Sequence, residues 1–175
     1  MKYRIAAALL GFSLLLIWGC SGGEVAPKKA KATLINAQGK KVGEAKLAET
    51  PNGVKIVMTV ENLPPGVHAF HIHEKGLCTP PDFKSAGGHF NPFGKKHGLK
   101  NPQGPHAGDL PNLVVGTDGK ETVEIVASLV TLKPGKNSLF KPGGTSLVIH
   151  QGPDDYLSDP AGNAGPRIAC GVITK

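Results

Sequence analysis

The chain has 175 residues, which is the size of one domain and enough to bury a hydrophobic core. It contains 24 glycines and 15 prolines, few aromatic residues and no helical apolar period after residue 20, so an all-β domain with many turns fits better than a helical one. The formal net charge is +7, but the lysines are spread through turns without interleaved aromatic residues. We therefore expect no nucleic-acid partner, and attraction to anionic lipid or a small anion fits better.

The first twenty residues have the pattern of an export signal. Lys2 and Arg4 give a positive start, and residues 5–19 form an uncharged, mostly apolar run that is too short to span a membrane. Cys20 follows directly after a glycine, which resembles the lipobox of bacterial lipoproteins, whose cysteine is lipidated and becomes the new N-terminus. The pattern predicts a signal peptide over residues 1–19 and a lipid anchor at Cys20.

One residue departs from the lipobox pattern, so an alternative to lipidation of Cys20 stays open. Trp18 is bulkier than the lipobox pattern expects, and an ordinary signal peptide with an incidental Cys20 is the alternative. Residues 20–29 are rich in Gly, Pro, Ala and Lys and predict a flexible tether. Removal of the leader lowers the net charge from +7 to +5, because it takes away two basic residues and no acid. We expect a domain at residues 30–175, held outside the cytoplasm on a bacterial cell membrane, on its periplasmic or outer-surface side.

Eight short segments of this domain alternate like β-strands and are separated by turn residues. They are residues 30–37, 41–49, 54–61, 66–74, 113–115, 121–128, 146–150 and 167–173. Eight strands predict an all-β antiparallel Greek-key barrel or sandwich. Residues 75–111 and 151–166 are rich in Gly, Pro and Asn and form two long loops, and structureless loops of this length are uncommon unless they are functional.

Three histidines are expected to meet from two strands. His71 and His73 share one face of a predicted strand, and Phe70 and Ile72 share the other, which would be the core. His150 ends another strand and can join the first two. Three imidazoles on rigid strands suit copper or zinc.

Three further histidines and an aspartate lie in the first long loop. His89, His97, His106 and Asp109 follow one another at intervals of eight, nine and three residues. Three nitrogens and one carboxylate oxygen make a closed tetrahedral set, which suits structural zinc. A zinc hydrolase would need an open position and a carboxylate base, and Asp109 fills that position instead.

Two cysteines remain once Cys20 is assigned to the lipid. In an oxidising compartment Cys78 and Cys170 are expected to be bridged, and closing so long a loop would stabilise the fold by about 4–5 kcal/mol. Neither lies in a Cys-x-x-Cys motif or near a histidine cluster. Metal binding by these thiols is therefore the weaker alternative.

Six motifs together resemble the signature segments of the copper/zinc superoxide dismutases. They are FHIHE at 70–74, GHFNP at 88–92, KHG at 96–98, HAGDL at 106–110, LVIH at 147–150 and GNAGPRIACG at 162–171. The resemblance extends from about residue 30 to the C-terminus, and the motifs occur in the family's order. It implies copper and zinc as cofactors and superoxide as the substrate, which is converted to dioxygen and hydrogen peroxide.

The resemblance also implies the metal ligands. The residues that match the copper ligands are His71, His73, His89 and His150. The residues that match the zinc ligands are His89, His97, His106 and Asp109. His89 occurs in both sets because it matches the imidazolate that bridges the two ions.

Other residues are matched one by one. Arg167 matches the arginine that attracts and orients the anionic substrate, and Asp154 matches a carboxylate that links a copper-ligand histidine to a zinc-ligand histidine. His68 matches a buried histidine that supports the copper side from the backbone. Cys78 and Cys170 match the family's intrasubunit disulfide, in agreement with the expectation from the compartment.

Two departures from the family pattern affect the expected activity. Between Asp155 and Arg167 there is no lysine or glutamate, whereas many eukaryotic relatives carry charged guides there. We expect Arg167 and the overall positive charge to attract the substrate, giving a slower but salt-sensitive enzyme. The segment between Cys78 and His89 is longer than in eukaryotic relatives and more like bacterial versions, so monomer and homodimer both stay open. The expected role is protection of the cell envelope, and a non-enzymatic copper or zinc binder is the alternative.

Overall fold

The structure is a computed structural model that describes residues 29–175. The predicted leader, Cys20 and the tether up to residue 28 lie outside the described residues. Within residues 29–175 there is no helix long and apolar enough to cross a membrane. This part of the chain contains nine β-strands and one short 3-10 helix, Lys84–Ala86. The strands are β1 (Lys29–Asn36), β2 (Lys41–Thr50), β3 (Gly53–Val60), β4 (Gly66–His68), β5 (Phe70–His73), β6 (Leu113–Val115), β7 (Glu121–Ala127), β8 (Ser146–His150) and β9 (Arg167–Val172).

Seven of these strands form one antiparallel sheet that curls into a half-barrel. Their order is β5–β8–β9–β1–β2–β3–β7, and β4 and β6 form a separate two-stranded sheet. Alternation along β1, β2 and β3 puts Leu34, Leu47 and Ile56 into the core, where they are almost fully buried. Burial of each such side chain contributes about 1.5–3 kcal/mol. The predicted all-β antiparallel fold is confirmed.

The predicted strand at residues 66–74 is divided in two at Ala69. The Ala69 N–H donates to the Gly152 carbonyl at 2.8 Å, and the Ala69 carbonyl accepts the His150 N–H at 2.8 Å. The chain therefore leaves the β4–β6 pair and joins β8 at this residue. The other seven predicted strands are present, with ends that differ by at most one residue.

β5 is buried on both of its faces. Phe70 and Ile72 belong to the main hydrophobic core, as predicted. His71 and His73 are also fully buried, and strand alternation places them on the opposite face, beneath the first long loop. A second apolar cluster lies apart from the main core and consists of Phe83, Ala86, Val148 and Cys170. The loop thus packs onto this part of the sheet instead of projecting into solvent.

The disulfide between Cys78 and Cys170 is present, with a Cα–Cα distance of 5.6 Å, and this prediction is confirmed. It joins the start of the first long loop to β9. Cys170 is fully buried against the cluster beneath the loop. The bridge therefore fixes the loop to the strand that begins with Arg167.

Candidate metal centre

The first long loop is brought to the metal centre by pairing with the free edge of β5. The Ile72 N–H donates to the Gly108 carbonyl at 2.9 Å, and the Phe90 N–H donates to the Ile72 carbonyl at 2.8 Å. Two isolated antiparallel bridges result, His73 with His89 and His71 with Asp109. Backbone pairing therefore sets loop residues beside strand histidines that are distant in sequence.

This close approach requires glycine at position 108. A Cβ atom on Gly108 would lie 2.2 Å from the Ile72 carbonyl oxygen and 3.1 Å from the Phe90 nitrogen. Both neighbours are backbone atoms and cannot rotate away. A side chain here would push the loop off β5 and separate the two sets of histidines.

Four buried histidines form the first group: His71, His73, His89 and His150. Each has one ring nitrogen without a hydrogen-bond partner in the described part of the chain, Nδ1 in His71 and Nε2 in the other three. A buried polar atom without a partner is costly. These four potential ligand atoms lie within 4.8 Å of one another. An all-nitrogen set with this convergence fits a copper ion.

The opposite ring nitrogens fix the orientation of these side chains. His73 Nδ1 lies 3.0 Å from the Gly87 carbonyl oxygen, and His150 Nδ1 lies 3.1 Å from the Gly165 carbonyl oxygen. A carbonyl only accepts, so Nδ1 carries the hydrogen in both rings. Nε2 is then left with a lone pair that can bind a metal.

The histidines of this group are held in the neutral form. Burial lowers the pKa of His71 to about 3, although its hydrogen bond to Asp154 acts in the opposite direction. Burial also lowers the pKa of His150 to about 4 and places that of His73 well below its usual value. Their lone pairs are therefore available for a metal ion at neutral pH.

The second group consists of His89, His97, His106 and Asp109. Asp109 Oδ1 lies 2.9 Å from His89 Nδ1, 3.1 Å from His97 Nδ1 and 3.4 Å from His106 Nδ1. Asp109 Oδ2 accepts the backbone N–H groups of Gly98 and His106 at 2.8 and 2.9 Å. Four ligand atoms about 2.0–2.1 Å from a zinc ion would lie roughly 3.3 Å from one another. The observed separations and donor types fit zinc.

The charges of this group also favour a cation. Burial raises the pKa of Asp109, but the hydrogen bonds from His106, His89 and His97 outweigh it and hold the pKa well below its usual range. Burial lowers the pKa of His97, but its hydrogen bonds to Asp109 and Asp154 outweigh this effect and raise it to about 9. A metal ion bound at Nδ1 would displace the proton that His97 directs at Asp109, while Nε2 keeps its hydrogen bond to Asp154.

His89 belongs to both groups. Its Nδ1 faces Asp109 in the second group, and its Nε2 is one of the unpartnered nitrogens of the first. The ring centroid lies 4.0 Å from that of His71 and 5.5 Å from that of His106. One imidazole therefore lies between the two groups.

Asp154 connects the two groups on another side. Its Oδ2 lies 2.9 Å from His71 Nε2, and its Oδ1 lies 3.0 Å from His97 Nε2. Burial raises the pKa of Asp154, but the hydrogen bonds from His71 and His97 outweigh it and keep the carboxyl ionised. The carboxylate thus contacts one ring of each group.

Arg167 lies beside the first group, because the Gly87 carbonyl that contacts His73 Nδ1 also accepts from Arg167. Its Nη1 and Nη2 atoms donate to the carbonyls of Phe83 and Gly87, both at 2.6 Å, so the loop holds the guanidinium in place. A depression of about 430 Å³ beside it is also lined by Asp82 and Lys84. The sequence alone does not point to these two charged residues, because only the folded loop brings them next to Arg167.

His68 contacts the first group through the backbone. It is buried, with Nδ1 2.9 Å from the His150 carbonyl oxygen and Nε2 2.8 Å from the Pro64 carbonyl oxygen. Its side chain is not part of either histidine group. The ring therefore joins the carbonyl of His150 to that of Pro64, and its supporting role stays a prediction.

Comparison with known proteins identifies the family. A family model described as copper/zinc superoxide dismutase matches residues 41–173. The chain is 59% identical over 172 residues to copper-zinc superoxide dismutase 2 of Aquifex aeolicus (strain VF5), an alignment that covers 97% of this chain and 98% of the relative. It is 62% identical over 147 residues to copper-zinc superoxide dismutase 1 of the same organism, covering 83% of this chain and 87% of the relative. The crystal structure of a superoxide dismutase-like protein from Bacillus subtilis matches with a TM-score of 0.79 at 46% identity, covering 81% of this chain and 96% of that chain. The chain belongs to the copper/zinc superoxide dismutase family.

Proposed function

We propose that the protein disproportionates superoxide, so that two superoxide ions and two protons give one dioxygen and one hydrogen peroxide. The observation that carries the proposal is the convergence of four unpartnered ring nitrogens in a buried site. Copper bound there would supply the reversible one-electron chemistry that this reaction needs. Zinc is redox-silent, and in the second group it would fix the loop.

His89 bridges the two metal sites in this proposal. Its Nδ1 stays against Asp109, while its Nε2 can hold a proton on the side of the first group. Burial lowers the pKa of His89, which favours release of that proton to the reduced substrate. This nitrogen supplies one of the two protons of hydrogen peroxide, and the solvent supplies the other.

Arg167 binds and orients the substrate anion. A guanidinium has five N–H donors, and two are used by the loop carbonyls, so others remain for the substrate. Its charge reaches the first group, since it contributes, after burial, to the lowered pKa values of His73 and His150. An anion bound to Arg167 would therefore lie close to the histidine site.

The protein acts outside the cytoplasm, attached to a bacterial membrane through lipid on Cys20. The leader pattern and the disulfide support this location, because structural disulfides persist in oxidising compartments. A small anion crosses an apolar layer poorly, so superoxide formed outside must be removed there. The role is thus protection of the cell envelope, by a monomer or a homodimer.

The test is metal analysis followed by an activity assay. Protein purified with its disulfide intact is loaded with copper and zinc, and competition with cytochrome c for superoxide from xanthine oxidase is measured. We expect one ion of each metal per chain and strong inhibition of cytochrome c reduction. Full metal content without activity would leave a copper and zinc binder instead.

A further inference from the structure

The outer face of the sheet carries four lysines near the start of β1. Lys29, Lys31, Lys46 and Lys55 point to this face because they alternate with core residues along β1, β2 and β3. In the strand register Lys31 lies directly opposite Lys46, while Lys29 and Lys55 flank Ala48 from either side. We call these four residues the lysine face.

Most of the charge on the lysine face is not neutralised. Lys55 pairs with Glu124 at 2.6 Å, and Glu44 on the same face pairs with Lys41, which lies outside this set. Lys29, Lys31 and Lys46 make no ion pair with a carboxylate of residues 29–175. Like charges directly opposite each other destabilise a sheet. The pairing of Lys31 with Lys46 therefore costs some stability, and an external anionic partner would relieve this repulsion.

Small apolar side chains lie between the lysines. Ala48 and Val57 are half-buried and help to line a shallow depression of about 250 Å³. Lysine stems can lie along such a surface while their ammonium groups extend outward. A broad, shallow and basic surface suits a layer of lipid headgroups better than a single small anion.

The chain enters the domain at the lysine face. Lys29 begins β1, and only residues 21–28 separate it from Cys20, the lipidation site of the proposed function. Fully extended, this connection spans about 30 Å. A lipid on Cys20 would thus keep the lysine face at a high effective concentration next to the membrane.

We propose that the lysine face docks onto the anionic phospholipid headgroups of the membrane that carries the Cys20 anchor. This inference rests on the proposed location of the protein. Each lysine close to an anionic surface contributes roughly fivefold to binding, and the contribution decreases as salt screens the charges.

Docking in this way leaves the metal centre accessible. The 8 residues of β1 span roughly 23 Å, with Lys29 at one end and Asn36 at the other. Asn36 pairs with Ala169 of β9, close to Arg167 at the start of that strand. The depression beside Arg167 therefore lies toward the end of β1 farthest from the docked end.

The docking is tested with the mature chain that begins at residue 20 and carries Cys20→Ser, so that no lipid contributes. The main core of the described residues lies within 30–173, all of which this chain retains. Binding to phosphatidylcholine vesicles with and without phosphatidylglycerol is measured by co-sedimentation. We expect binding that requires phosphatidylglycerol, and a loss on the order of a hundredfold in the triple variant K29Q/K31Q/K46Q.

The matched control is K40Q/K95Q/K120Q, which removes the same charge from three exposed lysines outside the lysine face. It should keep most of the binding, and circular dichroism should show that both triple variants are folded. The proposal is overturned if the two triple variants lose binding equally, or if vesicles without phosphatidylglycerol bind the protein equally well. It is also overturned if the protein binds an immobilised anionic polysaccharide but not the vesicles. Superoxide is absent from the assay, so failure of docking is separable from failure of the proposed activity.

Discussion

The Oδ1 atom of Asp154 lies 3.0 Å from Nε2 of His97, whereas Asp109 contacts the other ring nitrogen, Nδ1. By accepting the Nε2 hydrogen it leaves Nδ1 of His97 free to bind a cation. Asp154→Asn replaces one carboxylate oxygen with a donor and loses this contact or the matching contact to His71. We expect zinc affinity to fall by about 10–100-fold, measured by competition with a chelator. Asp155→Asn is the control, since Asp155 bonds to its own loop and to neither ring; an equal fall would show that loop order, not the ring contact, is responsible.

The same contact can be disrupted without changing Asp154. A Cβ on Gly162 would lie 1.8 Å from Asp154 Oδ1 and 2.8 Å from His97 Nε2, so Gly162→Ala must displace the carboxylate. Gly94→Ala provides the match, because Gly94 has nearly the same positive φ and no atom within 4 Å of its built Cβ. Zinc retention should decrease strongly in the first variant and little in the second. Similar zinc retention in the two variants would indicate that the effect comes from alanine at a positive φ and not from displacement of the Asp154 carboxylate.

Removal of His150 should separate the two metal groups. Its Nε2 is one of the four nitrogens of the first group, whereas the second group shares only His89 with the first. We expect His150→Ala to reduce dismutase activity to background while one zinc ion per chain remains bound. Metal content and activity are measured on the same preparation. Retained activity would contradict the assignment of copper to this residue.

The strands could be predicted because their signals are local. Alternation and turn residues place seven of the eight predicted strands within one residue of their observed ends. The break at Ala69 could not be predicted, since it arises where the backbone exchanges one partner strand for another. The fold class therefore follows from local pattern, and the division of this strand follows from tertiary pairing.

The histidine groups were also predictable, but their detailed chemistry was not. Spacing and family motifs identify the residues that the structure brings together. The sequence does not tell that His71 presents Nδ1 and His73 presents Nε2, because each choice depends on a distant partner, Asp154 for one ring and Gly87 for the other. Likewise, only packing of the loop against β9 brings Lys84 beside Arg167.

Lys84 and Asp82 should alter the rate in opposite directions. Both line the depression beside Arg167 and pair with each other at 3.2 Å, so removing either charge leaves the other unpaired. The charge of Lys84 attracts superoxide, and that of Asp82 repels it. We expect Lys84→Gln to lower kcat/KM about twofold at low salt and Asp82→Asn to raise it by about the same factor, with both differences decreasing as salt is added. The value of kcat/KM is measured from the decay of superoxide by stopped flow or pulse radiolysis, with Lys120→Gln as the control. A rate independent of ionic strength would contradict electrostatic attraction.

Glu49 should make the stability of the domain depend on pH. Its Oε2 accepts the Leu132 N–H at 2.6 Å and its Oε1 accepts the Thr131 hydroxyl at 2.8 Å, which fastens the fully buried Leu132 to β2. Burial raises the pKa of Glu49, but the hydrogen bonds from Leu132 and Thr131 outweigh it and lower the pKa from 4.5. Because the folded-state pKa is depressed, the stabilisation is present above the unfolded value and is lost as the pH falls through the folded value. We expect Glu49→Gln to lower the free energy of unfolding by about 1–3 kcal/mol at neutral pH.

Urea unfolding of wild type and Glu49→Gln over a range of pH measures the effect. The difference between the two proteins should narrow below pH 4.5, where the wild-type carboxylate becomes protonated and loses its advantage as an acceptor. Both proteins keep the same metal ligands, so acid release of metal affects them alike and cancels in the comparison. Glu61→Gln is the control, because Glu61 is exposed and makes no ion pair within residues 29–175. A difference that stays constant down to acidic pH would mean that Glu49 acts through packing and not through its charge.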